Sequence, residues 1–318
     1  MAHWRERPEG GNLFWLGLIR WLILNLGRGV ARACLFPTTL YFFIVRGPER
    51  RASKRWLEHV GAPHKGWRGA MIHIYTFAIT IVDRVLLLAG RGDELDVRAE
   101  GVDYLHQVLD AGRGCMLLGS HLGSFEAIRV FNRSAPPEYR HLKVVMDRGQ
   151  NSLMTQVMEE ISPEIRDTVI SASQPGPTIV LEAAGVMESG GMVAMLADRV
   201  RGSETTAEVD FLGRRTRLPA APLAIADMLD VPVVMVFGLY EGRGRYRLVF
   251  EPLPGPATPA ASRSERRQRL NERIQRYADR LGHYACQYPY NWFNFHDFWT
   301  ADTDPDRGDR GRRGDSGR

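Results

Sequence analysis

The chain has 318 residues, 44% hydrophobic and 25% charged, the proportions of an ordinary folded protein with enough sequence to bury a large core. Lys and Arg number 42 against 37 Asp and Glu, a formal charge of +5, which suits nucleic acid, an anionic membrane face or an acidic carrier without choosing among them. The three cysteines, Cys34, Cys115 and Cys286, lie far apart, which argues against a disulfide framework or a zinc knuckle and fits a reducing compartment.

The first fifty residues are unusually apolar. Arg20 interrupts the run from Asn12 to Leu26, and Arg28, Arg32 and Pro37 break the run that ends at Val45. A spanning helix needs roughly 20 apolar residues. The pattern therefore predicts an interfacial hairpin or a helix lying in the headgroup region, with a single span as the alternative. Trp4, Trp15, Trp21, Tyr41 and Phe42 suit that depth, and Arg46, Arg50, Arg51, Lys54 and Arg55 form a cluster suited to anionic lipid. Glu6 and Glu9 in the first residues are unlike a signal peptide. The division expected is an amphipathic membrane-associating arm at 1–56, one domain at 57–299 and a disordered tail at 300–318, rich in Asp, Arg and Gly.

Helices are expected at 52–65 and 67–90, with His73 as a packed core histidine on the second. A short strand at 95–100 and a helix from Val102 lead to the apolar strand 115–119. Further strands are expected at 142–146, 168–171, 192–197, 209–212, 232–239 and 246–251, with helices at 152–161, 178–188 and 221–229 between them. This alternation predicts an α/β fold: a central mixed, mostly parallel sheet flanked by helices, with the helical arm at its N-terminal end. The segment from Arg263 carries an apolar stripe at Leu270, Ile274, Tyr277 and Leu281, and its interspersed acids make the charged side a solvated face rather than a nucleic-acid surface. No RNA- or DNA-binding motif, phosphate loop, dinucleotide fingerprint or metal-ligand cluster accompanies these elements.

Strand 115–119 runs into Ser120-His121-Leu122-Gly123-Ser124-Phe125-Glu126. This reads as a base delivered into a cleft at a strand's carboxyl end, where open α/β sheets bind ligands, with a carboxylate behind it. The spacing alone is weak, because a chain with 9 histidines and 37 acidic residues supplies it by chance. Arg214-Arg-Thr-Arg217, expected in a loop after a strand, would bind phosphate or an acidic carrier, or be a solvated basic turn.

His121-x4-Glu126 resembles the His-x4-Asp/Glu box of the glycerolipid acyltransferase superfamily, and within it the lipid A late acyltransferases. Met146-Asp147-Arg148 with Gln150-Asn151 is similar to that family's second block, and Leu196-Ala197-Asp198-Arg199 falls at its Asp-Gln position with Arg in place of Gln. The segment Val209–Pro222 and the aromatic ending Tyr288–Trp299 extend the likeness over roughly residues 10–299. The opening His3-Trp4 and the Trp-Phe-Asn-Phe-x-Asp-Phe-Trp ending are similar to homologues found with aryl-polyene lipid clusters.

The resemblance implies acyl transfer from a thioester, with carrier protein preferred over coenzyme A, to a hydroxyl of a membrane lipid at the cytoplasmic face of a bacterial inner membrane, without a cofactor. His121 would be the general base, since an unperturbed histidine is largely neutral at pH 7. Glu126 would accept from its other ring nitrogen, in the manner of a catalytic triad whose nucleophile is the acceptor's hydroxyl. Arg148 would stabilise the oxyanion or hold a headgroup, and Asp198 would orient Arg148 or the acceptor. Ser120, Gly123 and Ser124 would let substrate approach, with backbone N–H groups at Leu122-Gly123 as oxyanion donors. Asn151, Arg199, Arg214 and Arg217 complete the expected binding set. Two other readings stand beside this one: a catalytically silent lipid or carrier binder, and an esterase using Ser120 or Ser124.

Overall fold

The apolar run from Val233 to Tyr240 is too long and too uniform for a half-exposed strand, and its place is the middle of a sheet covered on both faces. A computed structural model describes residues 13–128, 139, 141–146, 167–200, 204–255 and 262–299. Among these, seven helices and nine strands follow in chain order. They are α1 (Leu13–Val45), α2 (Gly47–His59), α3 (Gly66–Leu88), β1 (Asp96–Glu100), α4 (Val102–Asp110), β2 (Cys115–Gly119), β3 (Leu142–Met146) and β4 (Val169–Ser171). Then come α5 (Gly176–Glu188), β5 (Met192–Leu196), β6 (Thr206–Phe211), β7 (Arg214–Pro219), α6 (Ala221–Met228), β8 (Val233–Gly242), β9 (Arg245–Pro252) and α7 (Arg263–Gln287).

Seven strands form one sheet in the order β1-β9-β8-β2-β5-β3-β4, parallel throughout except for the β8–β9 hairpin. Side chains alternate along each strand and so divide the core into two layers. Met116, Leu118, Met235 and Phe237 point to the face covered by α6 and α7, with Leu223, Ile274, Tyr277 and Leu281. Cys115, Leu117, Val234 and Val236 point to the other face, under α3, α4 and part of α1. The stripe expected on α7 is the stripe it buries. Ser262 caps that helix by accepting from the Glu265 N–H at 3.1 Å.

The expected α/β class and mostly parallel sheet are what the structure has. One expectation fails at residues 206–219, which form an antiparallel two-stranded sheet of their own rather than a strand followed by a basic loop. The link is the two-residue turn Leu212-Gly213, both at positive φ (55° and 78°), the backbone a tight hairpin needs. The Asp210 carboxylate accepts from the Gly213 N–H at 2.9 Å and holds that turn.

The N-terminal helices are docked onto the domain. α1 changes direction at Gly27, which has non-helical dihedrals, and Ile23, Ala31 and Leu35 are buried with α3 residues. Directly after the kink, the Arg28 guanidinium grips Asp83 of α3 with two hydrogen bonds, at 2.7 and 2.9 Å. Trp21, Val30, Phe36, Leu40, Tyr41, Ile44 and Val45 of α1 remain exposed. Among the described residues, the helix long and apolar enough to cross a bilayer by length and composition is α3, of which 56% of the most apolar window is buried against the rest of the chain. The expected boundary at residue 56 falls inside α2, where Trp56 and Leu57 are both core residues. The segment 152–161, expected to be helical, and the tail lie outside the described residues.

Candidate active site

Two neighbouring parallel strands set the centre. β2 and β5 pair in register with Gly119 opposite Leu196, and the Ala197 N–H donates to the Gly119 carbonyl at 3.1 Å. Two residues beyond that pair on the two strands are His121 and Asp198. Parallel strands lie about 5 Å apart, so side chains at matching positions past their ends can touch. They do: Asp198 Oδ1 lies 2.7 Å from His121 Nδ1, and its Oδ2 accepts from the His121 backbone N–H at 3.0 Å. The Trp292 indole N–H donates to the same Oδ2 at 3.2 Å.

Asp198 is fully buried, whereas the His121 side chain is 27% exposed. Burial pushes the Asp198 carboxyl up, but the attraction of His121, their hydrogen bond, the nearby Arg199 and the His121 backbone N–H together hold it well below the usual carboxylate range. An ionised carboxylate at this distance accepts a hydrogen bond from the Nδ1–H, which leaves the imidazole lone pair on Nε2. The arrangement is a base fixed in one tautomer by a buried anion, at the carboxyl end of the strands where the chain crosses between the two halves of the sheet.

The carboxylate on His121 Nδ1 is thus Asp198, in the place where Glu126 was expected. Glu126 lies in the 3-10 turn Phe125–Ala127, where Oε1 meets the Arg84 guanidinium of α3 at 3.0 Å and Oε2 accepts from the Ser124 hydroxyl at 3.5 Å. The loop thus turns His121 toward Asp198 and Glu126 toward Arg84 and Ser124. Arg148 and Asn151 lie outside the described residues.

The other expected binding residues mostly hold the loop together. Gly123 has φ +73°, and a Cβ there would sit 1.9 Å from the Gly238 carbonyl oxygen, so only glycine fits. Its N–H, expected as an oxyanion donor, is spent on the Asn291 carbonyl at 2.8 Å, and the Ser124 N–H on Gly238 at 2.7 Å. Ser124 is 1% exposed and Ser120 is 3% exposed, the latter beside the buried Tyr277 hydroxyl, which donates to the Gly119 carbonyl at 2.8 Å. Neither serine is presented as an exposed nucleophile. Arg199 donates to the Phe293 carbonyl at 2.5 Å. Arg214 and Arg217 stand on β7, not in a loop; Arg214 lies 5.6 Å over the Trp299 ring, and Arg217 faces its cross-strand partner Glu208 at 3.7 Å.

The aromatic ending proves to be the underside of the site. Trp292 is 1% exposed; its ring meets Trp56 edge-on at 4.5 Å, with Phe298 at 4.8 Å and Phe211 at 5.2 Å. The Phe293 N–H donates to the His121 carbonyl at 3.0 Å. The Trp292 carbonyl lies 3.0 Å from His73 Nε2, and His73 Nδ1 lies 2.9 Å from the Ser53 hydroxyl. His73 is fully buried, and burial pushes it down to about 4 against the hydrogen bond to Trp292, so it is neutral; it is the core histidine expected. His296 is likewise pushed down to about 4, first by burial and then by Arg199. Arg84 escapes a reading of the sequence because it belongs to no motif, and Trp292 was legible as part of the aromatic ending but not as a donor to Asp198, which lies on a distant element.

A family model described as bacterial lipid A biosynthesis acyltransferase matches residues 10–300. A protein of Mycolicibacterium smegmatis named phosphatidylinositol mannoside acyltransferase is 25% identical over 218 residues, which cover 68% of this chain and 66% of that protein. One of the same name from Mycobacterium tuberculosis is 24% identical over 228 residues, which cover 67% of this chain and 63% of that protein. The chain therefore spans just under two thirds of these relatives' own length.

Proposed function

The chain belongs to the bacterial lipid A biosynthesis acyltransferase family, and from that membership we propose that it moves a fatty acyl group from a thioester to a hydroxyl of a membrane glycolipid. The observation that carries the mechanism is the pair His121–Asp198, a partly exposed base on a buried carboxylate. The acceptor O–H gives its proton to His121 Nε2 as its oxygen attacks the thioester carbonyl carbon. Asp198 stabilises the imidazolium that forms. The tetrahedral intermediate collapses with the thiolate as leaving group, and the imidazolium returns the proton to sulfur. An ester and a free thiol result, and no serine is acylated. Arg148 has the charge to stabilise the oxyanion or hold an anionic headgroup. Glu126, paired with Arg84, holds the loop that presents His121.

Two features support a membrane-bound acceptor: the exposed apolar side chains of α1, and Arg51 and Arg55 exposed on the adjoining helix. We place it at the cytoplasmic face of a bacterial inner membrane, and the chain's positive charge favours an acidic acyl carrier protein over coenzyme A as donor. The test is acyl transfer by purified protein from palmitoyl-carrier protein and, separately, palmitoyl-coenzyme A into a bacterial glycolipid extract. His121→Ala should abolish transfer, and wild-type rates in that variant would end the assignment of the base. Sedimentation with phosphatidylglycerol vesicles, lost on changing Trp21, Phe36 and Tyr41 together to Ser, tests the α1 surface; unchanged sedimentation would remove α1 as the anchor.

A further inference from the structure

The Asp198 carboxylate has three donors, and two of them come from His121 itself. The third is the Trp292 indole N–H, which lies 94 residues away in sequence and belongs to no element of the sheet. We propose that Trp292 is a positioning residue for the His121–Asp198 base: through one hydrogen bond to Oδ2 it fixes the carboxylate's orientation and tempers its basicity. The inference rests on the pair acting as the base, and extends it to a residue that touches no reacting atom.

The geometry gives Trp292 little freedom. Its ring is enclosed by Trp56, Phe211 and Phe298. Its backbone is held from the other side by His73, whose neutral ring can donate from Nε2 to the Trp292 carbonyl only while Nδ1 accepts from the Ser53 hydroxyl. The neighbouring backbone is stitched to the catalytic loop by the Phe293 N–H on the His121 carbonyl and by the Gly123 N–H on the Asn291 carbonyl. One relay thus runs from Ser53 on α2 and His73 on α3 through Trp292 to Asp198 and His121. An indole N–H so enclosed can only donate along one line, and that line ends on the carboxylate.

A donor on Oδ2 competes with His121 for the carboxylate's charge. Without it, Asp198 becomes more basic and the imidazolium better stabilised, so the His121 pKa rises. Among the described residues, the other titratable groups shown to act on the pair are Arg199, His296 and Tyr277. Arg199 keeps its charge throughout, His296 titrates near 4 and the Tyr277 hydroxyl well above 10, so none of them changes charge between pH 5 and 9.

The test compares wild type with Trp292→Phe and with 3-benzothienylalanine placed at position 292, which keeps the shape of indole and lacks the N–H. The His121 pKa is read by ¹H–¹⁵N NMR titration of the ring nitrogens, which needs no substrate, and kcat and KM are read with palmitoyl-carrier protein and a bacterial glycolipid extract. Both variants should raise the His121 pKa by about half a unit. They should lower kcat about tenfold with KM within about twofold. If Trp292→Phe fails to fold, the isosteric variant decides. An unmoved His121 pKa in a folded variant overturns the inference, even if activity or thermal stability falls, because that is what a purely structural tryptophan would give. The underlying reading fails separately, if Asp198→Asn keeps wild-type transfer.

Discussion

Asp83 and Asp198 are both fully buried carboxylates, and each is met by three hydrogen bonds. Asp83 sits in the seam between α1 and α3, gripped by Arg28 and by the Tyr246 hydroxyl at 2.9 Å. Asp198 sits under the cleft, gripped by His121 and Trp292. The surroundings are alike and the cations differ. A guanidinium keeps its proton at any pH a protein survives, and its planar fork fixes both oxygens at once, so Arg28–Asp83 is a permanent rivet between the N-terminal helix and the domain. Imidazole can release and regain its proton near neutral pH, so the same buried anion becomes part of a working base. Burial of a carboxylate does not by itself mark a catalytic centre; the pKa of its partner does.

The sharpest break of that comparison is the paired change Asp198→Asn and Asp83→Asn. At Asp198, an amide facing the same donors forces His121 toward the wrong tautomer. Transfer should fall by about 10,000-fold while the folded protein survives. At Asp83, the same change leaves the Arg28 cation without its counter-charge. With that side chain 15% exposed, water can reach it in part, so the expected cost is about 3 kcal/mol, at the low end for a broken buried pair. Urea unfolding should show it, with kcat little changed in the protein that remains folded. If Asp83→Asn lost activity as steeply as Asp198→Asn, the division into rivet and base would collapse.

Glu126 is the next largest effect and decides which carboxylate serves the histidine. Glu126→Gln keeps a hydrogen-bonding group toward Arg84 and Ser124 and removes one charge from a partly buried pair. A loss of up to about tenfold in kcat is expected, about 1.4 kcal/mol, from a loosened loop. A loss as deep as that of Asp198→Asn would return Glu126 to the histidine and remove Asp198 from the role.

The sequence carried the fold well where local pattern decides it. Strands β2, β5 and most of β8 are apolar runs bounded by glycine or polar residues, β3 and β9 are apolar strands interrupted by Lys143 and Arg247, and the stripe on α7 has helical spacing. His121 was legible as a strand-end residue. The partner of His121 was not, because contact depends on β5 inserting between β2 and β3, 77 residues along the chain, and no periodicity records strand order. Arg214–Arg217 misled for a different reason: three arginines read as solvent-exposed loop, although an exposed two-stranded ribbon takes the same composition when a Leu-Gly turn permits it. Arg28–Asp83 was invisible, since a charged pair across two apolar helices looks from sequence like two interruptions in membrane-seeking runs.

The smallest effect separates the two kinds of buried group by pH. His73 is fully buried and pushed down to about 4, against about 6.5 for a free histidine. Between those values the unfolded chain binds a proton that the folded chain refuses, so stability is complete above about pH 6.5 and is lost as pH falls toward 4. From pH 7 to pH 6 the loss due to His73 is under about 1 kcal/mol, and it steepens toward about 1.4 kcal/mol per unit below. His296, also lowered to about 4, adds a slope of the same sign. Asp198 acts in another window: its carboxyl is depressed, so its contribution is present above about pH 4 and is lost only as pH falls below the ordinary carboxylate value. Urea midpoints of wild type and His73→Gln at pH 7, 6, 5 and 4.5 test this. The variant should lose about half of the slope between pH 6 and 4.5, since His296 remains. An identical slope in both proteins would mean that His73 is charged inside the fold, and a charged ring with both nitrogens protonated could not accept from the Ser53 hydroxyl that now holds it.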